Sequence, residues 1–297
     1  MSDGILFLAI FLFFFLLWFV SGGPTRPISF AGPYITPITD VDDTQFAYDS
    51  DEPFFSPDFN LFGGTNLQAG DAYANASPLR GQVTISSVTP GSSAKDEYVT
   101  LQLSQNAPGP VSISGWRLRS DATYKSATIP GGTELPRRGI NRTDPIVLQP
   151  GDRATITTGD SPIGVSFREN RCVGYFGTSQ NFSPHLSSAC PSPLAEFERY
   201  YEGNKLADDS CYNYLSALPQ CTNPPHRGRP RLTNRCEEFI DEYLDYNGCV
   251  AAHQGEQDFR SQEWRIYLER NAKLWKPSRE AVRLIDAQGM TVDLYTY

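Results

Sequence analysis

From Ile5 to Val20 every residue is apolar, ILFLAIFLFFFLLWFV, and no charge falls between Asp3 and Arg26. An α-helix rises 1.5 Å per residue, so about twenty uncharged residues span the roughly 30 Å core of a bilayer. Trp18 lies near one end of the run, where interfacial aromatics sit. The pattern predicts an N-terminal transmembrane helix, Ile5 to Val20, within a membrane anchor over 1–23. A cleaved signal peptide is the competing reading, since Ser21, Gly22 and Gly23 suit cleavage. Such a peptide wants a basic start and a shorter apolar core, and Met1-Ser2-Asp3-Gly4 offers no basic residue. An uncleaved signal-anchor in direct contact with membrane lipid is favoured.

Periodicity then disappears. Residues 24–80 carry Pro24, Pro27, Pro33, Pro37, Pro53 and Pro57 among many Gly, Asp and Asn, and read as a disordered linker or stalk. Its acidic run from Asp40 to Glu52 suggests calcium, but an EF-hand counted from Asp40 needs glycine and glutamate where Gln45 and Asp51 stand. A solvated acidic linker is the better reading. Strict alternation begins at Gln82. Val83, Ile85 and Val88 mark one strand, and Val99, Leu101 and Leu103 share one face of a second. Val111, Ile113, Trp116 and Leu118 read as a third that bends near Gly115, with further strands over 145–148 and 154–157. Turn signals at Pro90-Gly91, Pro108-Gly109-Pro110, Gly131-Gly132 and Pro150-Gly151 separate them, the spacing of a sandwich or barrel. Trp264, Ile266 and Leu268 alternate again. Residues 281–285 and 291–295 flank Asp286-Ala287-Gln288-Gly289 as a hairpin. A lone hairpin is marginal in water, so it must pair with the sheet of residues 82–167.

These segments resemble the lamin tail domain, an immunoglobulin-like β-sandwich. The resemblance is carried by Glu97-Tyr98-Val99-Thr100-Leu101, Ile113-Ser114-Gly115-Trp116-Arg117-Leu118, Ile129-Pro130-Gly131-Gly132-Thr133, Leu148-Gln149-Pro150-Gly151-Asp152 and the closing hairpin from Val282 to Asp293. Each is short, but order and spacing agree over roughly 81–170 and 263–297. The implied architectural residues are Tyr98, Gly115, Trp116, Leu118, Pro150 and Gly151, with Trp116 as a core anchor beside a glycine bend. The family implies no catalytic residues, and its bacterial relatives are often surface or envelope proteins. The chain lacks the heptad coiled coil of nuclear lamins and starts with an apolar segment, so a prokaryotic, membrane-anchored relative is expected. The expected class is mainly β, an immunoglobulin-like β-sandwich in two parts, 81–170 and 263–297.

Between those parts, residues 171–262 form an insertion that holds all six cysteines: Cys172, Cys190, Cys211, Cys221, Cys236 and Cys249. Their even number and close grouping, with no Cys-x-x-Cys pair, favour disulfides over a metal cluster. One helix is predicted to open at Asn234 with Glu237 three residues on, and to stop at Gly248. It places Cys236, Phe239, Ile240, Tyr243 and Leu244 on one face. A weaker helix is predicted over 208–218, ended by Pro219. An antiparallel helix pair would set Cys211 opposite Cys249 and Cys221 opposite Cys236, leaving Cys172 for Cys190. Six cysteines allow fifteen connectivities, and the others stay open.

A net charge of −9 and a pI near 4.9 argue against a nucleic-acid partner, which needs a basic surface. Candidate chemistry is sparse. The histidines are His185, His226 and His253, and no nucleophile elbow, zinc-protease helix or phosphate loop is present. His253 stands near Glu256 and Asp258, as a solvated polar loop or as an acid–base or metal cluster, the loop being the better reading. His226 begins a basic stretch through Arg231 that could meet an anionic polymer or simply be a solvated loop. No catalytic, metal or cofactor residues are assigned. The function expected is a non-catalytic structural or interaction module outside the cell membrane, with a protein or cell-wall partner. The alternative is an envelope hydrolase, nuclease or polysaccharide-binding protein that uses the insertion.

Overall fold

The computed structural model describes residues 12–13, 75–137, 141–201 and 208–297. Most of the apolar segment Ile5 to Val20 and the linker over 24–74 lie outside the described residues. Leu12 and Phe13 are helical and exposed. Among the described residues, no helix is long and apolar enough to cross a membrane.

The chain is mostly β. One five-stranded sheet has the order β1-β2-β7-β9-β8, from β1 (Val83–Thr89), β2 (Tyr98–Leu103), β7 (Arg153–Thr157), β9 (Arg260–Tyr267) and β8 (Phe167–Asn170). A four-stranded sheet has the order β11-β10-β4-β5, from β11 (Thr291–Thr296), β10 (Ala281–Ile285), β4 (Arg117–Ser120) and β5 (Ser126–Thr128). A short pair joins β3 (Val111–Ser112) to β6 (Val147–Leu148). Alternation is the cause of the burial: Val99, Leu101 and Leu103 of β2 are buried while Tyr98, Thr100 and Gln102 are half-exposed. Both sheets feed one core, in which Leu101, Ile156 and Trp264 meet Leu118, Val282 and Leu284.

The closing hairpin finds the partner that its own marginal stability demands. β10 pairs antiparallel with β4, Leu284 opposite Leu118 and Val282 opposite Ser120. Two expectations are corrected. The strand expected across 111–118 is two strands, because Gly115 takes φ +85° and turns the chain out of the ladder. The Ser114 hydroxyl stitches this corner, donating to the Pro130 carbonyl and accepting from the Ile146 N–H. The linker expected to reach residue 80 ends sooner: Ser77 donates its N–H to the Thr291 carbonyl and Ala76 bridges to Thr291.

Between β8 and β9 the chain builds helices α1 (Gly174–Gly177), α2 (Pro193–Tyr200), α3 (Asp209–Ala217), α4 (Asn234–Tyr243) and α5 (Tyr246–His253). The starts of α2 to α5 are set by side-chain caps, from Ser192 with Pro193 at the first position, Asp208, Thr233 and Asp245. The cap of α4 is thus Thr233 and not Asn234. Gly248 does not end α4, which stops at Leu244; Asp245 then accepts from the Gly248 N–H and starts α5.

All six cysteines are bridged, as Cys172–Cys249, Cys190–Cys221 and Cys211–Cys236. The expected pairs Cys211–Cys249, Cys221–Cys236 and Cys172–Cys190 are all corrected. The reason is local. Asp208, which caps α3, also accepts a hydrogen bond from Thr233, which caps α4, so the two helix starts meet and put Cys211 beside Cys236. The long connection over 218–233 carries the chain back to the same end, so the tight turn of an antiparallel pair is absent. Cys249 lies instead on α5, which returns to the end of β8.

Asp121, just past β4, accepts from Arg283 on β10 and from Arg119. Burial alone would raise its carboxyl, but those hydrogen bonds and charges outweigh it and hold the group below its ordinary 3.8. A lowered native value means stability that is present above about pH 3.8 and is lost as the pH falls further. We expect Asp121→Asn to cost about 1 kcal/mol at neutral pH. The gap from the wild type should narrow below pH 4, as read by urea denaturation across pH 2.5–7.

Candidate functional site

A hollow of about 660 Å3 lies where the helical lobe meets the loops of the β domain. Two disulfides build its walls. Cys172–Cys249 ties the residues before α1 to α5, and Cys190–Cys221 fixes the start of the segment carrying Thr222 and Asn223. Gly174 packs so closely that a Cβ there would collide with both sulfurs of Cys190–Cys221. Below them, Asn170 at the end of β8 accepts from the Cys172 N–H and donates to the Tyr246 hydroxyl at 3.1 Å. Phe176 stacks on Tyr246 with ring centroids 4.1 Å apart.

Tyr175 lines the same cleft and is only 7% exposed. Its hydroxyl has no hydrogen-bond partner among the described residues. Burial, then the negative charges of Glu196 and Asp245, push this phenol well above its ordinary value, so it stays a proton-bearing donor. Burial also pushes Tyr246 up to about 12, against the Asn170 hydrogen bond and the charge of Arg137. Asp245 spends one oxygen on the Gly248 N–H at 2.7 Å and lines the cleft beside the exposed side chains of Gln180 and Asn223.

A second hollow of about 560 Å3 shares Pro162 with the first. Its wall includes Phe182 and His185, and Tyr267, buried to 3% exposure, lines it too. The Arg265 guanidinium binds the carbonyls of Pro184 and His185 and pairs with buried Glu169, which fastens this wall to the sheet.

The candidate histidines separate cleanly. His185 belongs to the second hollow. His253 is buried, with Nε2 at 2.9 Å from Glu196 and Nδ1 at 2.9 Å from Glu256. The polar-loop reading is corrected here, because α2 folds over α5 and closes the ring in. Each ring nitrogen thus faces a carboxylate oxygen, and neither is open to a substrate. Asp258 takes no part and lies 3.6 Å from Arg171. Burial would raise Glu256, yet the His253 hydrogen bond and the charges of His253, Arg171 and Arg199 hold it low. His226 is exposed near Asp241, and Arg229 of the basic stretch is buried between Glu237 and Asp241, which cancels much of the expected anion affinity.

Among the described residues, two side-chain groups have metal-ligand proximity, Asp208 with Cys211 and Cys236, and His226 with Glu237 and Asp241. The first has its sulfurs in a disulfide, and the second already holds the Arg229 cation. The architectural residues do structural work: Trp116 and Leu118 are core, Tyr98 opens β2, and Pro150-Gly151 turn the chain between β6 and β7. Sequence reasoning missed Tyr175, Tyr246, Asn170 and Glu196. Asp245 and Ser192-Pro193 were available start signals for the helices that carry Tyr246 and Glu196. No protein-family model and no curated protein matches the chain.

His253→Ala would leave Glu196 and Glu256 facing each other without the ring between them. We expect a loss of about 2 kcal/mol, seen as an earlier denaturant midpoint, with bridges intact by thiol titration. Gly174→Ala should act differently, preventing Cys190–Cys221 and exposing titratable thiols.

Proposed function

We propose that this chain is a membrane-tethered, extracytoplasmic interaction module without catalytic activity. In this reading Ile5 to Val20 is the transmembrane signal-anchor, and an immunoglobulin-like β-sandwich of lamin-tail type stands beyond it. The disulfide-stapled lobe then presents a recognition cleft to a protein or envelope partner. One observation carries the proposal: the cleft walls are built on disulfides buried within hydrophobic clusters. Such bridges persist in oxidising compartments and are rare in reducing ones, so the cleft and the outside location stand together.

The sandwich reading is supported by two sheets that share one core and by the closing hairpin on β4. The lamin-tail likeness rests on the order of its short motifs along the chain. A hydrolase reading is less well supported, because both nitrogens of His253 face carboxylates and His226 stands beside an occupied ion-pair cluster. The acidic balance of the chain gives no support to a nucleic-acid partner.

Protease shaving of intact cells expressing the chain should release fragments from the 81–297 region. Non-reducing peptide mapping should find Cys172–Cys249, Cys190–Cys221 and Cys211–Cys236. Full protection from protease, with cysteines open to alkylation, overturns the proposal. Reduction before mixing should also abolish capture of the protein by isolated cell envelopes.

A further inference from the structure

The hollow of about 660 Å3 carries two opposite charges on its lining, Arg137 and Asp245. The protein pairs neither of them. Arg137 is exposed and makes no ion pair among the described residues, while the Asn141 side chain ties its backbone at both the N–H and the carbonyl. Asp245 is half-exposed and likewise makes no ion pair among the described residues. Its Oδ1 caps α5 by accepting from the Gly248 N–H, and its Oδ2 takes no hydrogen bond among the described residues. A guanidinium and a carboxylate thus line one hollow without meeting, and a concave site with low-dielectric walls strengthens the field of each.

Tyr175, Phe176 and Tyr246 share the lining, and both phenols feel the charges. Burial raises each; Glu196 and then Asp245 push Tyr175 further, whereas the Asn170 hydrogen bond and then Arg137 hold Tyr246 back. An ammonium group is attracted to aromatic rings as well as to a carboxylate. A guanidinium takes a phosphate or a carboxylate through paired N–H donors. A ligand with only one of these ends leaves a like charge of the hollow facing it: an anion meets Asp245, and a cation meets Arg137. A ligand with both ends leaves neither charge uncompensated.

We infer that this hollow binds a small zwitterion, with the ammonium end at Asp245 and the aromatic rings and the phosphate or carboxylate end at Arg137. This rests on the interaction-module reading and names its ligand class. The volume is of the size that encloses a small ligand, and the two disulfides in its walls keep it formed before the ligand arrives.

The test is calorimetric titration of the full chain, in a detergent with an uncharged headgroup. The probes are three zwitterions, phosphocholine, phosphoethanolamine and leucine, with choline and inorganic phosphate as single-charge controls. Saturable binding of at least one zwitterion is expected, about tenfold tighter than choline or phosphate. Asp245→Asn removes the charge and keeps a capping side chain, and Arg137→Gln changes an exposed one, so neither should move the denaturant midpoint. Each should weaken zwitterion binding about tenfold. Choline or phosphate binding as tightly as every zwitterion, or zwitterion binding that neither variant affects, overturns the inference. Sedimentation with phosphatidylcholine vesicles, displaced by free phosphocholine, supports it with a lipid headgroup as the source; saturable binding of a free zwitterion without sedimentation supports it with a soluble one. If no zwitterion binds while isolated envelopes still capture the protein, the zwitterion inference falls and the module reading stands. Failure of both experiments removes both.

Discussion

The helical lobe leaves and rejoins the β domain through residues that face each other across one strand pair. Asn170 at the end of β8 lies opposite Arg260 at the start of β9, and the Arg171 N–H donates to the Phe259 carbonyl at 2.9 Å. The whole lobe is therefore the loop of a single antiparallel hairpin. Closing a loop that long costs entropy, though only as the logarithm of its length, and what it lacks is a core large enough to hold itself together. The disulfides supply this. Each lies within a hydrophobic cluster of the lobe, Cys172–Cys249 and Cys190–Cys221 in one and Cys211–Cys236 in another. In the chain-entropy account each contributes roughly 3–5 kcal/mol. Asn170 binds both the Cys172 N–H and Tyr246, so the hinge of the lobe and the floor of the hollow are one piece of chemistry.

The return from β9 to the second sheet has a different solution. The chain after β9 must cross from one sheet to the other without a ladder, which leaves backbone N–H groups to satisfy. Two buried glutamates do so. Glu97 accepts from the N–H groups of Leu274 and Trp275 and from the Thr158 hydroxyl. Glu280 accepts from the N–H groups of Ala122, Lys276 and Ala281 and from the Ser120 hydroxyl. A carboxylate with several donors is stable inside a protein for the same reason that an unpaired one is not. These side chains do in the crossing what strand pairing does elsewhere, and they deliver β10 to β4 in register.

What could be read in the sequence is what local periodicity encodes. Alternation at Val99-Leu101-Leu103 and in the closing hairpin marks strands because one face of each sheet is buried and the other is not. That residues 281–285 must pair within 82–167 followed from the instability of an isolated hairpin, but not that the partner would be 117–120. The disulfide pairing was not readable, because it depends on which helix ends meet, and that was set by a hydrogen bond between Asp208 and Thr233, two capping residues far apart in the chain. The surroundings of His253 were half readable: Glu256 is one helical turn away in sequence, whereas Glu196 arrives from α2. The hollow was unreadable, since Tyr175 and Tyr246 look like core aromatics until the folded chain brings them to its lining.

The stapled lobe and the open hollow stand in tension that the disulfides resolve. A lobe held only by packing would close over a hollow of this size, because unfilled space forfeits contacts on its lining. Cross-links remove that option by fixing α1, α5 and the segment after Cys221 at a set spacing. A hollow held open in advance loses less entropy on binding than one that must form around its ligand. The same bridges that replace a large core therefore also hold open the hollow beside Tyr175 and Tyr246.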